Sequence, residues 1–192
     1  MRPVFRPSYI ARAEMESTFP LLAGKKWLLK SPYDDTYQCI AWAAGYNSVH
    51  WWPADNPPEC YWPEGVPFDD TVECFVQAFE TLGYRRSRSA GFRFGHQKVA
   101  IYATTTGIVR HMARQHFLGL GWLSKPGKLE DMLHPDLECI EGDPSPTSFE
   151  YGTVTQILER SWWTAARYGL FRCWWANFRF WLFRIKEMLG LT

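Results

Sequence analysis

Four short segments between residues 91 and 125 constrain most strongly what this chain can fold into. They are "GFRFG", "KVAIYATT", "IVRHMARQ" and "GWLSK". All are rich in β-branched and aromatic residues, and glycine-containing breaks such as "TTGI" and "LGLG" separate them. They predict an antiparallel sheet of four or five short strands. Strand alternation would put His111, Ala113 and Gln115 on one face of it.

Two helices are predicted ahead of this sheet. A short buried helix runs from Tyr37 through Ala44 and ends at Gly45. The second begins at an N-cap of Asp69 or Asp70 and ends at Gly83. Its apolar residues recur at helical spacing, at Val72, Phe75, Val76, Phe79 and Leu82. Helices followed by strands predict an α+β fold.

The remaining segments suggest three regions. Residues 1–33 hold scattered prolines and are expected to form an N-terminal arm or irregular lead-in, residues 34–160 the α+β domain, and residues 161–192 an aromatic and basic C-terminal helix. Within the domain, "KLEDMLH" predicts a helical turn. Thr147 and Glu150 have capping-box spacing, which predicts a helix over "YGTVTQILERSWW".

The charge and the aromatic content of the chain indicate which classes of binding partner to expect. The 21 Lys and Arg residues nearly balance the 20 Asp and Glu residues, and the formal net charge of +1 does not indicate nucleic-acid binding. Aromatic residues make up 17% of the chain and include 11 tryptophans, more than a core of this size needs. Some of these rings are therefore expected to line a groove or an interface.

Several other features are expected to be absent. The first thirty residues hold no apolar stretch of signal-peptide length, which favours a cytoplasmic protein. The five cysteines form no C-x-x-C pair, so neither a disulfide framework nor a zinc ribbon is expected. Phosphate-loop and dinucleotide motifs are missing, and no cofactor is expected.

The tail of the chain is strongly apolar but is interrupted by arginines, so no run approaches the roughly 20 residues that a membrane span requires. Arg172, Arg179 and Lys186 recur every seven residues and form a basic stripe beside aromatic side chains. This pattern fits a helix that lies at a membrane interface or against a protein partner. It fits equally a terminal helix that folds back on the domain.

Cys39 is the main candidate for chemistry. It stands at the first turn of the predicted helix, where backbone N–H groups favour the thiolate. His111 lies on a later strand, as the base of a Cys–His pair would. Candidates for a third group that orients the imidazole are Asp131, Ser124, Gln115 and His134. The alternative for Cys39 is a small core residue.

Two other arrangements compete with this one. His96, just ahead of a strand, is a second candidate base. A metal site could form from His111, Asp131, His134 and Cys39, but only Asp131 and His134 have close ligand spacing. No metal is therefore expected.

Several blocks together resemble an uncharacterised bacterial domain family. In order along the chain they are "YQCIAWAAG", "HWWP", "FVQAFETLGY", "HMARQ", "GWLSKPGKLEDMLH" and "YGTVTQILER". Members of that family carry similar YNCIAWAAG, WWWP, HAARQ, WTSKLG and DI-x-H blocks. The resemblance covers about residues 37 to 160. Gln38 replaces the usual Asn and Pro126 the usual Leu, and neither change removes a candidate catalytic group.

The family pattern is in turn similar to papain-like cysteine hydrolases, in which a cysteine leads a helix and a histidine follows on the sheet. This resemblance implies that Cys39 is the nucleophile and His111 the base. It puts Ser124, Lys125, Asp131 and His134 in later polar blocks. His96 falls in none of the blocks.

We therefore expect a papain-like α+β domain with added C-terminal helices. It would hydrolyse an amide or thioester bond in a peptide-like substrate. Cys39 would attack the carbonyl, His111 would carry the proton, and Asp131 or Ser124 would orient His111. The residues expected to contact substrate are Trp51, Trp52, Trp62, Gln115, Trp122, Lys125 and His134.

The alternative is a non-enzymatic binding module. The Trp-rich loop at residues 51–62 and the C-terminal helix would then bind a protein or a membrane surface, and Cys39 would be part of the core. In either case we expect a cytoplasmic protein that could associate peripherally with a membrane.

Overall fold

The structure is a computed structural model that describes residues 7–47, 49–53, 60–142 and 151–167. Over these residues the fold is α+β, as the sequence predicts. The helices are α1 (Ser8–Thr18), α2 (Cys39–Ala44), α3 (Val72–Glu80) and α4 (Trp162–Arg167). Two short 3-10 helices cover Pro20–Leu22 and Leu137–Ile140.

The strands of the described residues number nine, and seven of them form one antiparallel sheet in the order β1-β8-β7-β6-β5-β9-β4. Their bounds are β1 (Leu28–Leu29), β2 (His50–Trp51), β3 (Cys60–Tyr61), β4 (Arg85–Ser87), β5 (His96–Ala103), β6 (Val109–Gln115), β7 (Trp122–Ser124), β8 (Met132–His134) and β9 (Thr153–Ser161). Strands β2 and β3 form a separate parallel pair. The expectation of four or five strands was too low.

Helix α2 is short and fully buried. All six of its residues are buried, and Gly45 ends the helix with a φ of 99°, a conformation that glycine adopts without strain. The side chain of Gln38 accepts a hydrogen bond from the N–H of Ile40 at 3.2 Å and donates to the carbonyl of Trp51 at 2.7 Å. The predicted helix is confirmed, and Gln38 ties its start to the following loop.

Helix α3 also matches its prediction and buries one face. Phe75 and Phe79 are fully buried in it. The cap residue is Thr71, whereas Asp69 or Asp70 was predicted, and the Thr71 N–H donates to the Asp69 carboxylate at 3.2 Å. The helix ends close to Gly83, whose φ is 79°.

The sheet separates two apolar clusters because alternate residues of its central strands point to opposite faces. Ile101 and Met112 belong to the first cluster, with α2 and α3. Tyr102 and Ala113 belong to the second. Near these residues the β6–β7 ladder has two residue pairs, Arg114↔Leu123 and Gln115↔Trp122, and α2 packs against both strands.

The second cluster corrects the expectation of an irregular N-terminal arm. Residues 8–18 are helical, and Met15, Leu22 and Trp27 are buried in that cluster. Trp27 also donates its indole N–H to Glu16 at 3.0 Å. Residues 8–29 therefore pack on the sheet because their apolar side chains cover one of its faces.

Three local predictions were wrong. "GFRFG" is a loop, and "KLEDMLH" forms a turn that leads into β8. The helix expected over "YGTVTQILER" is strand β9, which pairs with both β5 and β4. Its Thr, Val and Ile side chains favour a pleated surface, and a place between two strands satisfies both edges of its backbone. Thr147 and Glu150 lie outside the described residues.

The C-terminal prediction is only partly covered by the structure. Residues 162–167 form α4, whereas Arg172, Arg179 and Lys186 lie outside the described part of the chain. Among the helices that are described, none combines the length and apolarity that crossing a bilayer would need. The division at residues 33 and 160 stays a prediction.

Candidate functional site

Cys39 is the first residue of α2 and lies beside strand β6. Only 7% of its surface is exposed. Burial raises the pKa of its thiol to about 11, while the N–H groups of Met112, Ile40 and Cys39 itself act in the opposite direction. The Met112 N–H thus links the sulfur to the backbone of β6, whereas the preceding residue, His111, points to the other face, beside Tyr102 and Tyr151.

His111 is completely buried in β6. Its Nε2 lies 3.1 Å from the hydroxyl oxygen of Ser124 on β7. Its ring stacks on that of Tyr151, with centroids 4.1 Å apart and planes 13° apart. Its Nδ1 is buried and has no hydrogen-bond partner among the residues that the structure describes. Buried polar atoms without partners are uncommon, and the indole N–H of Trp42 and the hydroxyl of Tyr84 are the other two among the described residues.

Ser124 joins His111 to a second imidazole. Its hydroxyl oxygen lies 2.9 Å from Nε2 of His134 on β8. The other ring nitrogen of His134, Nδ1, lies 2.7 Å from the carbonyl oxygen of Asp136. Three of the residues predicted for the site, His111, Ser124 and His134, thus form one buried chain of hydrogen bonds.

Burial sets the charge of both rings. It lowers the pKa of His134 to about 4 and lowers that of His111 well below its usual value, with a smaller contribution from the neighbouring imidazole. Since both pKa values lie below 7, both rings are neutral at neutral pH. The structure accordingly holds a thiol and a neutral imidazole, not an ion pair.

Asp131 and Lys125 belong to a second buried group around Tyr37. The Tyr37 hydroxyl donates to the Asp131 carboxylate, at 3.1 and 3.0 Å from its two oxygens. The Lys125 ammonium lies 4.9 Å from the centroid of the Tyr37 ring and donates to the carbonyls of Asp34 and Leu129, both at 2.5 Å. The side-chain hydrogen bond of Asp131 therefore goes to Tyr37, whereas that of His111 goes to Ser124.

The pKa shifts of this group also follow from burial. Burial raises the pKa of Asp131 to about 7, against the opposing effects of Lys125 and Tyr37. It lowers the pKa of Lys125, against the nearby carboxylates. The ammonium adds a small effect that lowers the pKa of the Cys39 thiol. This group is thus electrostatically coupled to the cysteine.

The tryptophans of the predicted substrate loop pack in the first apolar cluster. Trp51 is 1% exposed and stacks near Tyr61, with centroids 4.8 Å apart. Trp62 packs edge-on against Phe75 at 5.2 Å, and the half-buried Trp52 contacts the same ring at 5.6 Å. These contacts make the three rings part of the support under α2 and α3. Their contact with a substrate stays a prediction.

Three other candidates make contacts outside the hydrogen-bond chain of His111. Gln115 donates to the carbonyl of Ala90 at 2.7 Å, and Trp122 is buried in the second cluster. His96 begins β5, six residues along the strand from Tyr102, which pairs with His111. At about 3.3 Å per residue, His96 lies roughly 20 Å from that pair.

The proposed metal ligands do not converge. Within the residues that the structure describes, no group of three or more His, Cys, Asp or Glu side chains could hold a metal ion. Hydrogen bonds within the protein instead occupy both ring nitrogens of His134 and the carboxylate of Asp131.

Three contacts of the site were not predicted from the sequence. Tyr37 holds Asp131, Tyr151 stacks on His111, and the Asp136 carbonyl holds His134. Tyr37 stands two positions before Cys39, and Tyr151 begins a "YG" block, so their positions near recognisable blocks were the available signal. A backbone carbonyl leaves no such signal in a sequence.

The fold and site together define an α+β domain with an antiparallel sheet, in which Cys39 on α2 packs in the first apolar cluster and the buried His111 lies beside Tyr102 and Tyr151 of the second. The chain belongs to the family described as Domain of unknown function (DUF7689), which matches residues 28–159. Searches of curated proteins and of solved structures each return no significant match.

Proposed function

We propose that this protein is a papain-like cysteine hydrolase that acts on an amide or thioester bond, with Cys39 as nucleophile and His111 as base. The observation that carries the proposal is the buried Nδ1 of His111, which has no hydrogen-bond partner among the described residues and whose ring stacks on Tyr151, a side chain that interacts electrostatically with Cys39. A cysteine-bearing helix on an antiparallel sheet with a histidine strand supports the papain-like comparison.

The charge states favour general-base catalysis over a preformed ion pair. The raised pKa of Cys39 and the lowered pKa of His111 keep both groups neutral at pH 7. The thiol proton would then move to His111 while the sulfur attacks, as a hydroxyl proton does in serine hydrolases. The N–H groups near the sulfur would stabilise the sulfur and the developing oxyanion.

The chemical steps balance without a co-reactant other than water. The Sγ–C bond forms as the thiol proton passes to Nδ1 of His111, and the carbonyl becomes an oxyanion. When the oxyanion collapses, the C–N or C–S bond breaks and His111 returns the proton to the leaving group. Water then attacks the acyl-enzyme by the same route, which releases the acid and restores the thiol.

Trapping of the acyl-enzyme tests this proposal. The protein is incubated with small acyl thioesters and activated amides, and peptide mass spectrometry locates any added acyl group. We expect an acyl group on Cys39, lost in Cys39→Ala and strongly reduced in His111→Ala. Cys74 is the matched internal control, because it is buried to a similar degree, 6% exposed against 7%. Equal acylation of Cys39 and Cys74, or acylation indifferent to His111, would contradict the proposal.

A specific observation favours a membrane-binding surface as a second function. Phe92, Phe94, Leu118, Leu120 and Trp163 are exposed by 46–85%. We call these five residues the aromatic surface. Phe94 packs at 5.1 Å on Trp162, which precedes Trp163 in α4, and Phe92 lies against Gly119, between the two leucines in the chain. Exposed apolar patches of this kind commonly mark interaction sites.

We assign an anionic bilayer as the partner of the aromatic surface. Trp and Phe rings suit the headgroup region, and Arg93, which also pairs with Glu159 at 3.3 Å, stands between two of the exposed phenylalanines in the chain. The sequence that follows Arg167 continues with aromatic and basic residues, so the same chemistry extends along the chain. Such a surface could bring a hydrolase to a membrane or act without catalysis.

Vesicle co-sedimentation tests the assignment. Full-length protein should bind phosphatidylserine-containing vesicles at low salt, and Phe94→Asp with Trp163→Asp should weaken binding. Leu28→Asp is the control, because Leu28 is also exposed, 57%, but lies on the edge strand β1, which carries none of these residues. Equal weakening by the control, or no binding of the wild type, would contradict a membrane role for this surface.

A further inference from the structure

The hydrogen-bond chain at His111 has a fixed end, the carbonyl oxygen of Asp136. A carbonyl only accepts hydrogen bonds, so the Nδ1 of His134 that lies 2.7 Å away must carry a hydrogen. The low pKa of His134, about 4, leaves the ring neutral at pH 7. A neutral imidazole has one N–H, and its other nitrogen, Nε2, therefore carries the lone pair.

The direction of the next bond follows from that lone pair. The Ser124 hydroxyl has one hydrogen, and it must donate this hydrogen to Nε2 of His134 at 2.9 Å. The Ser124 oxygen is then left with lone pairs only. The Nε2 of His111, 3.1 Å from that oxygen, must be the donor of the bond between them.

The tautomer of His111 is the consequence. With its hydrogen on Nε2, the neutral ring keeps its lone pair on Nδ1, the buried atom that has no other partner. Stacking on Tyr151 further restricts the ring plane. The reverse tautomer would leave a buried N–H unpaired on this side, and two lone pairs would face each other within the chain.

We infer that His134 is a positioning residue: with Ser124, it transmits the polarity of the Asp136 carbonyl and fixes the His111 tautomer that keeps Nδ1 free as an acceptor. The tautomer follows from the hydrogen bonds alone. That this lone pair takes the Cys39 proton rests on the proposed function. A second imidazole and a hydroxyl thus do the orienting that an amide or carboxylate does in other triads.

The hydrogen bonds that run from the Asp136 carbonyl through His134 and Ser124, which we call the relay, orient His111 without adding charge to it. All three groups are neutral, so the chain fixes the hydrogen position and does not raise the basicity of the ring as a buried carboxylate would. The carboxylate of Asp131 takes no part in this relay, because its side-chain hydrogen bond goes to the Tyr37 hydroxyl.

Nitrogen-15 NMR of the imidazole rings in the full-length protein tests the tautomer directly. In wild type at pH 7, His111 should give one protonated Nε2 and one unprotonated Nδ1. His134→Leu removes the acceptor, so the Ser124 hydrogen can turn to His111 and a mixture of tautomers should appear. Ser124→Ala breaks the hydrogen-bond chain by the loss of one oxygen atom and should give the same mixture of tautomers. This smaller change serves as the test if His134→Leu does not fold.

His134→Gln is the matched control. Its amide keeps an N–H for the Asp136 carbonyl and an oxygen to accept from Ser124, so it should restore the single wild-type tautomer. A merely structural role for His134 would not produce this difference between leucine and glutamine. A protonated Nδ1 in wild type would overturn the inference, as would an unchanged tautomer in both His134→Leu and Ser124→Ala.

Alkylation of Cys39 at pH 7 separates this inference from the proposed function. If both hold, the rate should fall about fivefold in His134→Leu, as expected for one lost hydrogen bond, and recover in His134→Gln. If the tautomer shifts but alkylation ignores both His134 and His111, the relay stands and the hydrolase proposal fails. If alkylation requires His111 but the tautomer ignores His134, the relay fails.

Discussion

Ser124 and His111 share a hydrogen bond of 3.1 Å between adjacent strands, just beyond the last β6–β7 ladder pair, Arg114↔Leu123. At this end the strands are joined by side chains, and α2 packs against both of them. The Cys39 sulfur reaches the Met112 N–H in the same region. At the end of the ladder, Cys39 packs in the first apolar cluster, and His111 lies beside Tyr102 and Tyr151 of the second.

Removal of the Trp51 ring should destabilise the fold. Trp51 is 1% exposed and packs among Tyr46, Tyr61 and Phe79, so Trp51→Ala should lower the free energy of unfolding by about 3–5 kcal/mol. Trp163→Ala, at a residue 85% exposed, is the control and should change it by less than about 0.5 kcal/mol. Urea unfolding followed by circular dichroism measures both. Equal effects would show that Trp51 is not a core residue.

An alanine at Gly121 should be costly for two reasons. Gly121 has a φ of 131°, and an added Cβ would overlap the His134 carbonyl oxygen. We expect Gly121→Ala to cost about 2–3 kcal/mol in unfolding experiments. Gly24→Ala has a similarly unusual φ of 76° but open space around the new carbon, so it should cost only about 1 kcal/mol. A smaller cost at Gly121 than at Gly24 would refute the close approach of Gly121 to the His134 carbonyl.

The ionisation of Asp131 should lower stability as the pH rises. Its pKa is raised from 3.8 to about 7 in the folded protein, so between these values the native state binds one more proton than the unfolded state. The loss of unfolding free energy caused by ionisation of Asp131 is absent below pH 4 and complete above pH 7. Asp131→Asn cannot ionise, so relative to wild type it should gain about 1.4 kcal/mol per pH unit across this window. A difference that does not change with pH would contradict the raised pKa.

The local sequence pattern predicted helices α2 and α3 correctly but did not predict strand β9. The apolar spacing and glycine stops of α2 and α3 are contained within each segment, and the structure has both helices. Strand β9 is different, because its neighbours β5 and β4 determine its conformation and lie far from it in the sequence. A capping-box pattern in the local sequence could not reveal those partners.

The same distinction applies to the candidate site. Cys39 and His111 were chosen because a helix start and a strand are visible locally. Ser124 and His134 were among the candidates for the third group. Their order in the hydrogen-bond chain depends on the register of β7 and β8, which the sequence does not show. Only the tertiary structure shows that Asp131 bonds Tyr37 and not His111. It also shows that Trp51 and Trp62 are buried, because a high aromatic content alone does not distinguish a core from a groove.

The pH dependence of Cys39 alkylation by iodoacetamide, in wild type and in His111→Ala, tests the account most directly. If His111 takes the thiol proton, the rate should stay nearly constant from pH 6 to 9 in wild type, because the base stays neutral over this range. In His111→Ala the rate should be lower at pH 7 and rise about tenfold per pH unit, since only free thiolate reacts. The same tenfold rise in both proteins, at equal rates, would mean that Cys39 is a core residue without a catalytic base.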